Sequence, residues 1–153
     1  MSDRRFTLDT SILVYALDRQ AGDKHGVASR IIDLAVRADC CLTLQSISEF
    51  YVAVTRRSMV PIASARDQAL DWLDMFPTVS ASAGAVRTAL TTDAAGKASY
   101  WDALLVITAT EAGCTAILTE DLADGTMLAG VRIINPFAGV ALCAEAEALL
   151  TQD

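Results

Sequence analysis

Four carboxylates stand at points of this sequence where they could act together. Asp9 follows the apolar stretch "FTL", Glu49 lies in "SISEF", Asp102 in "SYWDALLV" and Asp121 in "ILTED". The only histidine is His25, and the four cysteines form no CxxC pair, so nothing suits a zinc site. Like charges brought together are costly unless a cation neutralises them. An all-oxygen donor set suits a hard ion, Mg²⁺ or Mn²⁺, with waters completing the octahedron. One or two such ions activate water and stabilise the leaving oxygen of a phosphodiester. Thr10 and Ser11, directly after Asp9, could hydrogen-bond a carboxylate or a phosphate.

Each acid also has a plainer reading. "SISE" (Ser46 to Glu49) fits the capping box S-x-x-E, and "SYWD" (Ser99 to Asp102) fits its aspartate variant. Asp9 and Asp121 fit simple helix caps, and acids near helix N-termini gain from the helix dipole. For Ser11 the first reading is a hydroxyl that satisfies free N–H groups at a helix start. Capping does not explain why four acids should reach one edge, and a cap that aims a carboxylate is compatible with chemistry.

The elements that must position these acids alternate along the chain. Phe6 to Leu8 reads as a short buried strand and Ser11 to Leu17 as the start of an apolar helix. Ala28, Ile31, Ile32 and Ala35 then follow helical spacing. "CCLTL" (Cys40 to Leu44) reads as a second strand, and Ile47, Phe50, Tyr51 and Val54 as a helix face. Pro61 opens a helix with Ala65, Ala69, Trp72, Leu73 and Phe76 inward, and Pro77 ends it. After a weak strand near Thr78 to Ser80 comes a helix carrying Ala83, Val86 and Leu90. "SYWDALLVITATEAG" is a helix stopped by Gly113, followed by the strand "TAILT", a turn at Asp124-Gly125 and the strand "VRII". Residues 140–150 read as a surface helix. The expectation is one α/β domain over residues 1–153, with a core over 5–137. It has three layers, a central, mainly parallel sheet flanked by helices. In such sheets ligands bind beyond the strand C-termini, where Asp9, Glu49 and Asp121 fall. The sequence does not fix which end Asp102 faces.

Composition narrows the class. A 53% hydrophobic content with 20% charged residues argues for a compact globule rather than a disordered regulator. No apolar run is long enough to span a membrane and no signal core follows the N-terminus. A cytoplasmic chain with buried, reduced thiols is expected. The net charge of −7 does not draw nucleic acid by its overall field, so phosphate contacts would need a local basic patch.

The segments "LDTSILVYALD", "SISEFYVAV", "SYWDALLVITATEAGC" and "ILTEDLADG…VRIINPF", in that order, resemble the PIN-domain nucleases, and within them VapC-type toxins of bacterial toxin–antitoxin pairs. The likeness runs from about Phe6 to Phe137. It implies that Asp9, Glu49, Asp102 and Asp121 form the family's acidic cluster, with Asp9 and Asp102 the direct metal ligands and Mg²⁺ or Mn²⁺ the cofactor. Thr10 or Ser11 matches the hydroxyl beside the first acid, while Asp124 is explained by its turn. The resemblance further implies an endoribonuclease, an RNA substrate, a homodimer and a cognate antitoxin that blocks the site. Arg56, Arg57 and Lys97 are the candidates for RNA contact, and solvated surface is the alternative for each. An antitoxin would find a groove on apolar surface drawn from Phe50, Tyr51, Trp72, Met75 and Phe76, although Phe50 and Trp72 read first as core.

Two other classes share part of the pattern. A haloacid-dehalogenase-like phosphatase also places an aspartate after its first strand, and "EDLAD" could stand for its late acidic motif. That chemistry needs a second acid two residues after the nucleophile, where this chain has Ser11. A non-catalytic PIN-like binding module usually lacks the acids, and all four are present.

Overall fold

In the computed structural model, which describes residues 3–152, the sheet is built from strands that are short because both faces are covered. Strand β1 (Phe6–Leu8) and strand β4 (Ala116–Leu118) are buried at every position. Such continuous apolar triplets are the mark of parallel strands packed on both sides. β4 pairs in parallel with β1 on one edge and with β6 (Val131–Ile134) on the other. β5 (Met127–Leu128) runs antiparallel along β6 and closes that edge. On the far side, β2 (Leu42–Thr43) pairs in parallel with β3 (Thr78–Val79). A single parallel bridge from Phe6 to Cys40 joins this pair to β1. The expected strand over Cys40 to Leu44 is thus cut short, because Leu44 already belongs to the next helix.

Side chains alternate across this sheet. Phe6, Leu8, Ala116 and Leu118 point into the larger apolar cluster, and Ile117 and Ile133 into a smaller one on the other face. Helix α1 (Thr10–Leu17), α2 (Asp23–Ala35), α3 (Leu44–Arg56) and α4 (Ile62–Met75) fill the first cluster. Helix α6 (Tyr100–Glu111) covers the second face and is itself covered by α5 (Ala83–Ala94). The result is the expected three-layer α/β arrangement with a mainly parallel sheet.

Several faces turn out differently in detail. α4 buries Ala65, Ala69, Trp72 and Phe76, one stripe at helical spacing, with Trp72 edge-on to Phe50 at 4.7 Å. Leu73 flanks that stripe and is 38% exposed. In α5 the buried pair is Ala85 and Ala89, small residues against Ala103 and Leu104 of α6, which turns Leu90 outward at 57% exposed. Tyr51 is likewise exposed, whereas Trp72, Phe76 and Phe50 are core. Only Met75 and Tyr51 of the expected partner-facing aromatics and apolars remain on the surface. The C-terminal stretch is a two-stranded hairpin, β7 (Phe137–Ala138) and β8 (Ala141–Leu142), followed by α7 (Ala144–Leu150). α7 is not purely superficial, since Ala146 and Leu150 enter the larger cluster beside α2. Three cysteines are buried, and the partly buried Cys143 caps α7 through its sulfur. Among the described residues no helix is long and apolar enough to cross a membrane.

The β5–β6 turn carries backbone strain. Leu128 and Val131 pair across a two-residue loop in which Ala129 (φ 50°) and Gly130 (φ 82°) are both left-handed. That is the geometry of a type I′ turn, which Asn-Gly fits and Ala-Gly does not. Ala129→Asn should therefore stabilise the fold by about 0.5–1 kcal/mol, raising the melting temperature by about 1–4 °C in calorimetry. An unchanged or lower value would show that the turn does not hold Ala129 in that conformation.

Candidate active site

The site begins where β1 stops. Asp9 keeps an extended backbone, its N–H donates to Leu118 O at 3.0 Å, and it becomes the N-cap of α1. Its Oδ1 accepts the Thr10 N–H at 2.7 Å and its Oδ2 accepts the Thr119 hydroxyl at 2.7 Å. Only 8% of Asp9 is exposed. Burial, which disfavours the charged form, pushes its carboxyl up to about 6. The charges of Asp121 and Glu49 add to the rise, and the two hydrogen bonds oppose it.

Thr119 ends β4 on the neighbouring strand and is fully buried. Its hydroxyl donates to Asp9 and accepts the Asp121 N–H at 3.0 Å, so one side chain ties two acids together. The Asp121 carboxyl is raised by partial burial and by the charges of Glu120 and Asp102, with the neighbouring Asp9 carboxyl and the charge of Lys24 acting the other way. Asp9, Glu49, Asp102 and Asp121 are therefore electrostatic neighbours at one edge of the sheet, which settles the end that Asp102 faces.

Glu49 is not a cap. The N-cap of α3 is Thr43, whose hydroxyl oxygen accepts the Ser46 N–H, so Glu49 sits in the second turn. The capping box expected at Ser46 to Glu49 does not form, because the strand ends at Thr43 and the helix is capped there, three residues before Ser46. Glu49 is held instead by the Thr10 hydroxyl at 3.0 Å and by Gln45 Nε2 at 2.9 Å. The same Gln45 amide donates to Trp101 O at 3.0 Å, joining α3 to the start of α6.

At that start, Ser99 caps α6 by accepting the Asp102 N–H at 3.2 Å, which is the serine half of the expected capping box. The Asp102 carboxylate forms no hydrogen bond or ion pair among the described residues. Ser11 departs from expectation: its hydroxyl is buried without a partner, because Asp9 does the capping. Asp124 accepts the Asn135 N–H at 2.8 Å and so closes a turn.

The basic candidates divide. Arg56 and Arg57 line a groove of about 830 Å³ together with Glu49 and Trp101. Lys97 lines a separate groove of about 300 Å³ with Asp102 and Leu128. A cation that sequence reading missed acts on Asp121: Lys24, which pairs with Glu120 at 2.7 Å above the Tyr15 and Phe137 rings. Glu120 also accepts the Tyr15 hydroxyl, and its charge still bears on Asp121. Thr119 and Gln45 were missed as well. The pattern Thr-x-Asp after a strand is the one local signal that marks Thr119.

The chemistry of this edge is that of oxygen ligands held in surplus negative charge. Each Asp9 oxygen accepts one hydrogen bond and keeps lone-pair capacity, and Asp102 is free to ligate. Such a donor set fits a hard divalent cation. Among the described residues no three acidic, histidine or cysteine side chains already converge into a closed metal cluster.

A model of the PIN domain matches residues 6–123 of the chain. No curated protein matches it by sequence. Among solved structures it is similar to the sarcin–ricin loop cleaving toxin VapC20 of Mycobacterium tuberculosis, at 18% identity and a TM-score of 0.62, over 76% of this chain and 89% of that one. It is also similar to VapBC2 of Rickettsia felis bound to a DNA fragment from its promoter, at 12% identity and a TM-score of 0.60, over 84% and 96%. At these identities the two structures bear on the fold, while the family model spans most of the chain. The chain belongs to the PIN domain family.

Proposed function

We propose that this protein is a Mg²⁺- or Mn²⁺-dependent endoribonuclease that acts as the toxin of a toxin–antitoxin pair. The observation that carries the reading is the set of four carboxylates at one sheet edge, cross-linked through Thr10, Thr119 and Gln45, with the Asp102 carboxylate left unpartnered. Asp9 and Asp102 would hold the metal, and Glu49 and Asp121 would complete the site. When bound, the ion supplies a polarised water and neutralises charge on the phosphodiester. Thr119 and Thr10 keep Asp9 aimed, and Glu49, held by Thr10 and Gln45, would receive a proton. Support for RNA as substrate comes from the similar toxin VapC20, which cleaves the sarcin–ricin loop, and support for a protein partner from the likeness to VapBC2. The net charge of −7 suits a basic antitoxin segment laid over the acids. The homodimer belongs to the same proposal, and a cytoplasmic location goes with it. The phosphatase alternative gains nothing from the site, since Ser11 offers no carboxyl and no hydrogen-bonded hydroxyl. A purely binding PIN-like module gives no reason to keep four repelling acids together.

Cleavage tests the assignment residue by residue. With Mn²⁺ the purified protein should cut RNA and with chelator it should not. Asp9→Asn and Asp102→Asn should lower the rate by at least about a hundredfold while remaining folded. Glu49→Gln and Asp121→Asn should be severe but less complete. Full activity of Asp102→Asn would remove that residue from the site.

The Asp9 carboxyl sets a pH dependence. Its value in the fold, about 6, lies above the ordinary 3.8, so the folded state keeps a proton that the unfolded chain has released. The stability this contributes is fully present below about pH 4 and is lost as pH rises through 6, roughly 3 kcal/mol at most. Metal-free wild type should therefore lose melting temperature between pH 4 and pH 7 relative to Asp9→Asn. A bound divalent ion adds stability by mass action, about 2.7 kcal/mol at a hundredfold excess over Kd. That gain should appear at pH 7.5 and fade below pH 6, where protons compete for Asp9. A metal-induced shift of equal size at pH 5 and pH 7.5 would contradict the role given to Asp9.

A further inference from the structure

We propose that Trp101 and the groove beside it form a subsite for one unpaired nucleotide, with its base stacked on the indole and its phosphate against Arg56 and Arg57. The inference rests on the nuclease reading and narrows its substrate class to RNA carrying an unpaired base next to the cut. Trp101 immediately precedes Asp102 and is 59% exposed, although a large aromatic ordinarily gains by burial. Its position is fixed on two sides. Gln45 Nε2 donates to its carbonyl oxygen at 3.0 Å, and the Tyr100 ring meets it edge-on at 4.9 Å. The groove of about 830 Å³ at its flank runs along α3 past Glu49, Val52 and Ala53 to Arg56 and Arg57.

Charge supports the same occupant. Five basic side chains, Arg5, Lys24, Arg30, Arg66 and Arg132, form ion pairs, whereas Arg56 and Arg57 form none among the described residues. In a chain with 19 acidic and 12 basic side chains, two adjacent unpaired guanidinium groups leave a positive spot on an acidic surface. The helix dipole accounts for a cation at the end of α3 but not for the exposed indole at the other end of the same groove. A flat apolar platform beside two adjacent cations matches a base with its phosphate, which is how single strands are bound without sequence readout. In an A-form duplex the base faces are stacked away and cannot reach the indole. Binding an unpaired base here would set its phosphate between the arginines and Glu49, at the margin of the acidic edge.

The test is a binding titration in chelator at low ionic strength, so that no RNA is cut. The probes are a labelled single-stranded oligoribonucleotide and a blunt duplex of the same sequence. Wild type should prefer the single strand, and that strand should quench Trp101 while buried Trp72 stays bright. Trp101→Ala should lose about five- to a hundredfold in single-strand affinity, the range expected for one stacked base, with duplex affinity unchanged. Trp101→Phe should retain most of the affinity. A matching melting temperature in each variant shows that folding is intact, and Trp101→Leu serves if Trp101→Ala does not fold. With Mn²⁺ present, Trp101→Ala should raise KM more than it lowers kcat. Equal single-strand affinity in wild type and Trp101→Ala, or an equal loss on duplex, overturns the subsite. A dimer that dissociates in Trp101→Ala, with RNA affinity intact, also overturns it and makes Trp101 a protein contact. If wild type cleaves RNA while Trp101→Ala binds and cleaves like it, only the subsite fails. If wild type neither binds nor cleaves RNA, the nuclease reading fails as well.

Discussion

Repulsion among carboxylates held at one sheet edge is the constraint on which the rest of this structure turns. Asp9 is the pivot, because its carboxyl is raised first by burial and then further by the charges of Asp121 and Glu49. A fold selected only for stability would neutralise that position or pair it with a cation. This one holds it with neutral donors instead: the Thr119 hydroxyl on one oxygen and the Thr10 backbone N–H on the other, while the Thr10 hydroxyl holds Glu49. Neutral donors hold an anion in place without consuming its charge. Lys24, whose charge opposes the rise at Asp121, is itself paired with Glu120.

The parallel sheet makes this concentration possible. β1 and β4 are neighbours in register, Leu8 opposite Leu118, so the residues that follow them, Asp9 and Thr119, emerge side by side. Helix α3 brings Glu49 across on its second turn, and α6 brings Asp102 on its first. Gln45 links the last two elements through a single amide. Removing any of these elements would scatter the acids, whereas none of the acids is needed to form the apolar clusters beneath them.

Much of this was legible in the sequence where burial leaves a strong pattern. "FTL", "AIL" and "VRII" are strands buried on both faces, and α2, α4 and α6 announce themselves by spacing and stops such as Gly113, whose φ is +80°. The edge strand Met127–Leu128 was not legible, because two exposed residues carry no alternation and its pairing depends on the turn at Ala129. The hairpin in "FAGVAL" was hidden for a similar reason, its turn at Gly139 lying in an apolar stretch that also suits a helix. The misplaced cap at Glu49 shows how two overlapping motifs compete. Thr43-x-x-Ser46 and Ser46-x-x-Glu49 both look like caps, and only the end of the strand decides between them. The acids could be found one by one from their places after strands and at helix starts. Thr119 and Gln45 could not, since what they do is join segments distant in sequence.

The central claim is that this edge is a cation site in which Asp9 and Asp102 are ligands. Electron paramagnetic resonance of free Mn²⁺, titrated into the metal-free protein at pH 7.5, tests it without any substrate. Wild type should remove one or two equivalents of the free-ion signal, and Asp9→Asn and Asp102→Asn should each leave at least one of those equivalents in solution. Depletion that is identical in wild type and both variants, or absent at millimolar Mn²⁺, would contradict the claim and leave the four acids with structural roles alone.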